Sequence, residues 1–498
     1  EKARDTGLAA ESGVAPDADE AEALTRLDAW LCDLKDARIG DGLHIFARPP
    51  APALRAASIE ALSEGQTAEA VAGLEARLEA CAEAERRGLI AALDGRFLAP
   101  GPAGAPSRGR LDVLPTGRNL YAVDPRGVPT RTAWEIGRRT ADEVIAAYVQ
   151  DHGDWPRRIV LDLWGSATMR TGGDDLAQAF ALMGVRPVWD AATARVSGFE
   201  IQVPAKLGRP RVDVTLRVSG LFRDVFPAQI ALFDEAVRAV AALDEADEDN
   251  SLAETRRAGA TRDEDAFRVF GTAPGAYGVG LSTTVATGAW ECRDELGARY
   301  LAASSHAYGR DAEGIAAPAA FAARVAGADA FVHVQDTAEQ DVLDSDAFAE
   351  HEGGFAAAAA RLGNAPALYH ADTTRLERSK VRTLAQEIQR VVRARATNPR
   401  WLAGQMRHGH RGAAEIAETV GNLLAFAATT DVVAPTAFDL VFDATLGDER
   451  VRDFMVKSNP SAAAATARAF DEAIRRGLWV TRRNSVAGRI AETLEATR

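Results

Sequence analysis

Apolar positions recur at three- and four-residue intervals from Ala21 to Leu34, where Leu24, Leu27, Trp30, Leu31 and Leu34 share one side of a predicted helix. A second helical stretch runs from Ser58 to Leu93 on Leu62, Val71, Leu74, Leu78, Cys81 and Leu89. The Pro-, Gly- and Ala-rich run from Pro100 to Ser107 sustains neither period and predicts a linker. Beyond Leu114 the texture changes. Arg158 to Trp164 is a short apolar run closed by Gly165-Ser166, the pattern of a buried strand, and a helix follows over about Asp174 to Met183. Further strands are predicted at Val185 to Trp189, Val212 to Val218, Phe267 to Gly271 and Ala330 to Val334, with a helix over Phe226 to Leu243. From Glu350 onward helical periodicity dominates, interrupted around Tyr369 and Asp372. Strands alternating with helices of this length predict a parallel α/β sheet.

These patterns divide the chain into five expected parts. They are a helical segment and linker (1–110), an α/β domain (111–245), an acidic surface excursion (246–265), a second α/β portion (266–350) and a mainly helical C-terminal domain (351–498). The fold class expected is a multi-domain protein with a parallel-sheet α/β core and helical regions at both ends. A length of 498 residues agrees with roughly three domains at about 150 residues each.

Charge narrows the function. With 58 Lys and Arg against 72 Asp and Glu, the net charge is −14, which argues against a nucleic-acid partner, because such binding needs clustered positive charge. Cys32, Cys81 and Cys292 lie far apart with no CxxC pair, which suits a reducing cytoplasm and excludes a thiolate zinc site. No window approaches the roughly 18 apolar residues of a membrane helix. The start at Glu1-Lys2-Ala3 carries no Met and no signal-like core, so it reads as the interior of a longer chain.

Several polar clusters follow predicted strands, where α/β proteins place their sites. Trp164 to Asp175 includes Arg170 and a Gly172-Gly173 pair, and opens a helix either as an anion-binding turn or as a plain tight connection. Arg223 and Asp224 follow the strand ending at Val218; Tyr277 sits in the glycine-dense run Gly271 to Gly280. The spacing matches neither GxGxxG nor a Walker loop, so no P-loop ATP hydrolysis is expected here, and no GxSxG elbow occurs. The acidic block from Asp336 to Glu352 fails the spacing of a calcium loop and reads as a solvated face. Asp372 ends an apolar run, and His408 and His410 flank Gly409; two imidazoles alone do not make a metal site, and Asp372 would be their strongest partner.

Taken in order, Trp164-Gly165-Ser166 through Gly173, Gly184 to Trp189, Ser219 to Asp224, Ala273 to Gly278, Glu339 to Asp346 and Asn398-Pro399-Arg400-Trp401 resemble the large subunit of CobN-type cobaltochelatases, a family related to the H-type component of magnesium chelatase. The resemblance implies a tetrapyrrole-binding subunit, cytoplasmic, that inserts Co²⁺ into hydrogenobyrinic acid a,c-diamide during aerobic cobalamin synthesis. It implies two partner subunits, one an AAA+ ATPase, which carry the ATP and Mg²⁺. It further implies Asp372, His408 and His410 in the catalytic and metal role, and Arg170, Arg223 and Tyr277 for ring carboxylates and the ring face. Imidazole ligands suit cobalt better than magnesium. A magnesium-chelatase H-type component acting on protoporphyrin IX, or a catalytically silent tetrapyrrole-binding module, are the alternatives. Family members carry an upstream His-Gly-x-x-Glu-Trp motif that no segment here matches, so the chain is expected to be the C-terminal part of the subunit, inactive by itself.

Overall fold

The structure, a computed structural model, describes residues 18–35, 45–63, 66–102, 110–120, 123–257, 266–375 and 378–498, with 12, 14 and 106 singly. Half of the expected linker at 100–107 and residues 258–265 of the expected acidic excursion lie outside the described residues.

Apart from a two-residue parallel pair, Pro100–Gly101 with Asn119–Leu120, the strands are β1 (Arg158–Leu163), β2 (Val185–Trp189), β3 (Val196–Ile201), β4 (Asp213–Val218), β5 (Val269–Gly271), β6 (His306–Gly309), β7 (Ala312–Ala316), β8 (Ala330–Gln335), β9 (Ala367–Asp372) and β10 (Lys380–Thr383). Eight of them form one sheet in the order β10-β9-β8-β1-β4-β5-β6-β7. The five from β9 to β5 are parallel, and the antiparallel strands β10, β6 and β7 lie at the edges. All six residues of β4 and of β8 are buried, as parallel strands covered on both faces require. The expected strand at Val185 to Trp189 is present but pairs only with β3, in a separate antiparallel hairpin. Its Arg186 and Val188 face outward, so it lacks the second apolar face that the interior of the sheet demands.

Helices cover both faces. α1 (Glu20–Lys35) lies against the β10 edge, where Asp33 pairs with Arg382 and Lys380. α2 (Arg131–His152), α4 (Asp174–Met183) and α6 (Pro227–Ala241) pack on the face that carries Ile159, Leu161 and Leu163. Short helices α3 (Gly165–Thr171) and α5 (Gly220–Val225) follow β1 and β4. The opposite face, which carries Val160, Phe270 and Phe331, is covered by α7 (Arg293–Ser304), α8 (Gly354–Arg361), α9 (Leu384–Val391), α11 (His410–Thr429) and α12 (Pro460–Arg475), with α10 (Pro399–Met406) beside them. The split between Val160 and its two neighbours is the period-2 alternation of a strand.

The boundaries expected at 245, 266 and 350 do not interrupt this architecture. The sheet takes strands from 111–245, 266–350 and 351–498 alike, and one apolar core runs from Val160 to Ile490. The described part of the expected surface excursion is also packed: Asn250 and Leu252 are buried, because the Asn250 side chain donates to Val240 O and accepts from the first turn of the helix Ser251–Arg257. Among the described residues no helix is long and apolar enough to cross a membrane.

Candidate functional site

Chain order decides where the sheet opens. β1 is laid down centrally, β4 and β5 extend it to one side, and the chain then returns to place β8 and β9 on the other. Connections therefore leave in opposite directions at the β1/β8 boundary, and at such a switch point the loops part to form a crevice at the carboxyl ends of the strands.

A row of ionisable residues crosses the sheet there. Strand register sets Arg382 opposite His370, His370 opposite His333, His333 opposite Asp162, and Asp162 opposite Arg217. Directly paired residues project to the same face, so five strands contribute one polar line to an apolar sheet. Against it stands a π-helical turn, Ala349–Gly353, which brings His351 and Glu352 inward; such turns are rare and favour functional sites.

The row is tightly bonded around Asp162. This carboxylate accepts from Trp164 Nε1 at 2.6 Å and Arg217 Nη1 at 3.4 Å, and its Oδ2 lies 3.2 Å from His333 Nδ1. Burial works against its charge, but His351, His333 and Arg217 outweigh burial and hold the carboxyl well below the usual range. His351 Nε2 faces Arg217 Nη1 at 3.3 Å, and burial together with that guanidinium pushes its pKa down to about 3, so it is neutral at pH 7. His370 moves the other way. Burial opposes its charge, yet Glu352, Glu387 and Asp372 raise its pKa, with His370 Nδ1 at ion-pair distance, 3.6 Å, from Glu352 Oε2. Both Glu352 oxygens, His351 Nδ1 and two Arg217 nitrogens are buried with no hydrogen-bond partner in the protein, a concentration of unmet polar groups that a purely structural core avoids.

Over this row lies a cleft of about 270 Å³, lined by Trp164, Ser166 and Arg170 from the β1 side and His333, Asp336 and Phe348 from the β8 side. Arg170 crosses it to Asp336 with a bidentate pair, Nε–Oδ2 at 2.5 Å and Nη2–Oδ1 at 2.8 Å. A smaller hollow of about 80 Å³ shares Gln335 and Gln340 with the cleft and reaches Asp372, Arg375 and Arg390.

The residues singled out in the sequence fall at three places. Arg170 lines the cleft, and Asp372 lines the adjoining hollow, where it accepts from Thr374 and pairs with Arg382 Nη1 at 3.3 Å. Arg223 and Tyr277 come together beside the β4 end. The Arg223 guanidinium binds Asp224 and the Ala273 and Ala276 carbonyls, 5.4 Å from the Tyr277 ring, while Tyr277 Oη donates to Asp224. Arg223 is thus a buried clamp for the glycine-rich loop, and the exposed ring is Tyr277. His408 lies in the turn after α10, and His410 begins α11, exposed. The metal triad expected of Asp372, His408 and His410 is not assembled: among the described residues no three His, Cys, Asp or Glu side chains form a metal-holding group. The reason is local, since Gly409 at φ +54° ends one helix and starts another, and His410 takes the direction of α11.

With this geometry established, comparison places the chain. The family model described as CobN/Magnesium Chelatase matches residues 63–486. The chain belongs to that family. It is 41% identical, over 98% of its length, to the aerobic cobaltochelatase subunit CobN of a Sinorhizobium species, of which it covers 47%. It is 33% identical over 92% of its length to the H-type component of magnesium chelatase from Rhodobacter capsulatus, covering 38% of that protein. The solved catalytic subunit of cobaltochelatase from Mycobacterium tuberculosis superposes with a TM-score of 0.93 at 36% identity, over 99% of this chain and 48% of that one. The chain therefore spans about half the length of the relatives it matches.

Within this CobN/magnesium-chelatase chain, sequence reasoning missed Asp162, Arg217, His333, His351, His370 and Glu352 as site residues. A signal exists for four of them: each is an ionisable residue near the carboxyl end of a strand, as in Arg158-Ile-Val-Leu-Asp162 and Ala330-Phe-Val-His333. An ionisable residue in a strand buried on both faces needs a partner.

Proposed function

We propose that this chain forms a wall of the tetrapyrrole cleft in a cobaltochelatase large subunit, which inserts Co²⁺ as substrate into hydrogenobyrinic acid a,c-diamide. The observation that carries this reading is the cleft at the β1/β8 switch point, floored by ionisable groups and walled by aromatic rings, in a chain 41% identical to a cobaltochelatase subunit. Trp164 and Phe348 offer flat apolar faces to a macrocycle. The Arg170–Asp336 pair leaves the Nη1 edge of the guanidinium for a ring carboxylate. The exposed Tyr277 ring is a candidate for the periphery of the same ligand. Partner subunits, one an AAA+ ATPase, supply ATP and Mg²⁺ in this reading, and the complex works in the cytoplasm.

Titration of the purified chain with hydrogenobyrinic acid a,c-diamide, followed by absorbance and tryptophan quenching with protoporphyrin IX as control, tests the proposal. Saturable binding of the corrinoid precursor, weakened about tenfold or more by R170A, is the expected result. Preference for protoporphyrin would move the chain to the magnesium branch, and binding of neither would remove the cleft from ring recognition.

A further inference from the structure

Inserting Co²⁺ into a corrin displaces the ring N–H proton, so the cleft must present a base. Its polar groups are not equivalent. Asp336 is engaged in the bidentate pair with Arg170, and the Gln335 side chain is taken up by His370 and the Thr337 carbonyl. His333 differs. Asp162 is an ionised, acceptor-only group, so His333 Nδ1 carries the hydrogen between them, and in the neutral imidazole this tautomer puts the lone pair on Nε2. Asp162 has no exposed side-chain surface and is fixed from two other sides by Trp164 and Arg217, so it orients the imidazole without taking up the proton itself. The Trp164 and Phe348 rings stand edge-on to the imidazole at 4.8 and 4.9 Å and bound the space a flat ring would enter.

We infer that His333 is the base of this cleft, positioned by Asp162, and that it accepts the ring N–H proton of the entering macrocycle. The inference rests on the tetrapyrrole reading above and names the residue that performs its proton step. One pyrrole N–H bond breaks, its proton forms the Nε2–H bond of His333, and the electron pair remains on the ring nitrogen for the incoming Co²⁺. The imidazolium then passes its proton to water entering the cleft, so the imidazole is restored and one ring proton leaves per Co²⁺ inserted.

The test uses the full-length subunit assembled with its partners, in wild-type form and as H333A, H333Q and D162N. Chelation by H333A and H333Q is expected to fall by roughly 10²–10⁴-fold with tetrapyrrole affinity within about threefold of wild type, the usual weight of a general base. Added imidazole is expected to restore H333A by about tenfold or more and to leave wild type and D162N unchanged, because only H333A has a vacant space at the position of the base. H333Q retaining wild-type turnover, H333Q losing tetrapyrrole binding, or an H333A protein that binds the ring normally but gains nothing from imidazole would each overturn the inference. Should H333A fail to fold, the H333Q result decides. A wild-type complex that binds no tetrapyrrole would instead defeat the broader reading, so the two failures are distinguishable.

Discussion

Asp175 and Asp162 are both buried, and their surroundings move them in opposite directions. For Asp162 the cationic neighbours outweigh burial. For Asp175 burial dominates, Asp174 and Asp336 add to it, and the Leu176 amide and Thr168 hydroxyl offset it only in part, so the carboxyl is pushed up to about 7. The sign follows from linkage. The unfolded chain releases this proton near the ordinary 3.8, while the folded chain holds it up to about 7, so stability declines across that interval and levels off above it. D175N removes the titration while keeping an acceptor for the Leu176 amide. Urea unfolding at pH 5 and pH 8 is expected to show a smaller loss of stability on raising the pH in D175N, by about 2–3 kcal/mol at most. An unchanged difference would mean that Asp175 is ionised in the fold at neutral pH.

At the scale of elements, the cleft depends on how closely the loops after β1 and β4 approach. A Cβ on Gly165 would lie 2.6 Å from the Phe222 amide nitrogen and 2.7 Å from the Leu221 carbonyl carbon, both backbone atoms that cannot yield independently. The Gly165 amide also donates to Ser219 Oγ, tying α3 to the start of α5. G165A is therefore expected to cost about 1–3 kcal/mol in urea unfolding and to weaken ring binding, through displacement of Trp164 and Arg170. Gly421 is the control within a helix: a Cβ there meets nothing within 4 Å, so G421A in α11 is expected to be neutral or to stabilise by up to about 1 kcal/mol. Equal effects of the two substitutions would mean that the β1–β4 loop contact does not hold the cleft. Legibility in the sequence varied at this scale for the same reasons. α4 coincides with the predicted helix Asp174 to Met183, because local periodicity alone sets it. β2 was legible as a strand but not as a hairpin outside the sheet, since strand partners are chosen by tertiary packing.

Across the whole molecule, the parts suggested by composition are joined by shared burial. β9 and β10 complete the sheet from within the region expected to be a helical domain, and α8, α9 and α11 cover Val160 and Phe331 of the central strands. A chain ending at residue 350 would expose that apolar face along its length. It is expected to show no cooperative urea transition, whereas the full chain unfolds with coincident near- and far-ultraviolet circular dichroism changes. A sharp transition in the shortened chain would mean that 351–498 folds separately after all.

The linear sequence by itself determined the period of each element, the α/β class, the acidic surface and the motifs that place the chain in the CobN/magnesium-chelatase family, because each of these depends on neighbours a few residues apart. It also brought Arg170 to the right element, the short helix that follows the first strand of the sheet. It could not assemble the site. His408 and His410 are two positions apart in sequence, yet a left-handed glycine turns one helix into the next between them. Asp162 lies 55 residues from Arg217 and 171 from His333, yet the three are neighbours in one row. Strand register across a parallel sheet is set by which apolar faces bury together, and only that long-range choice turned four isolated polar interruptions into a line of charge beneath a cleft.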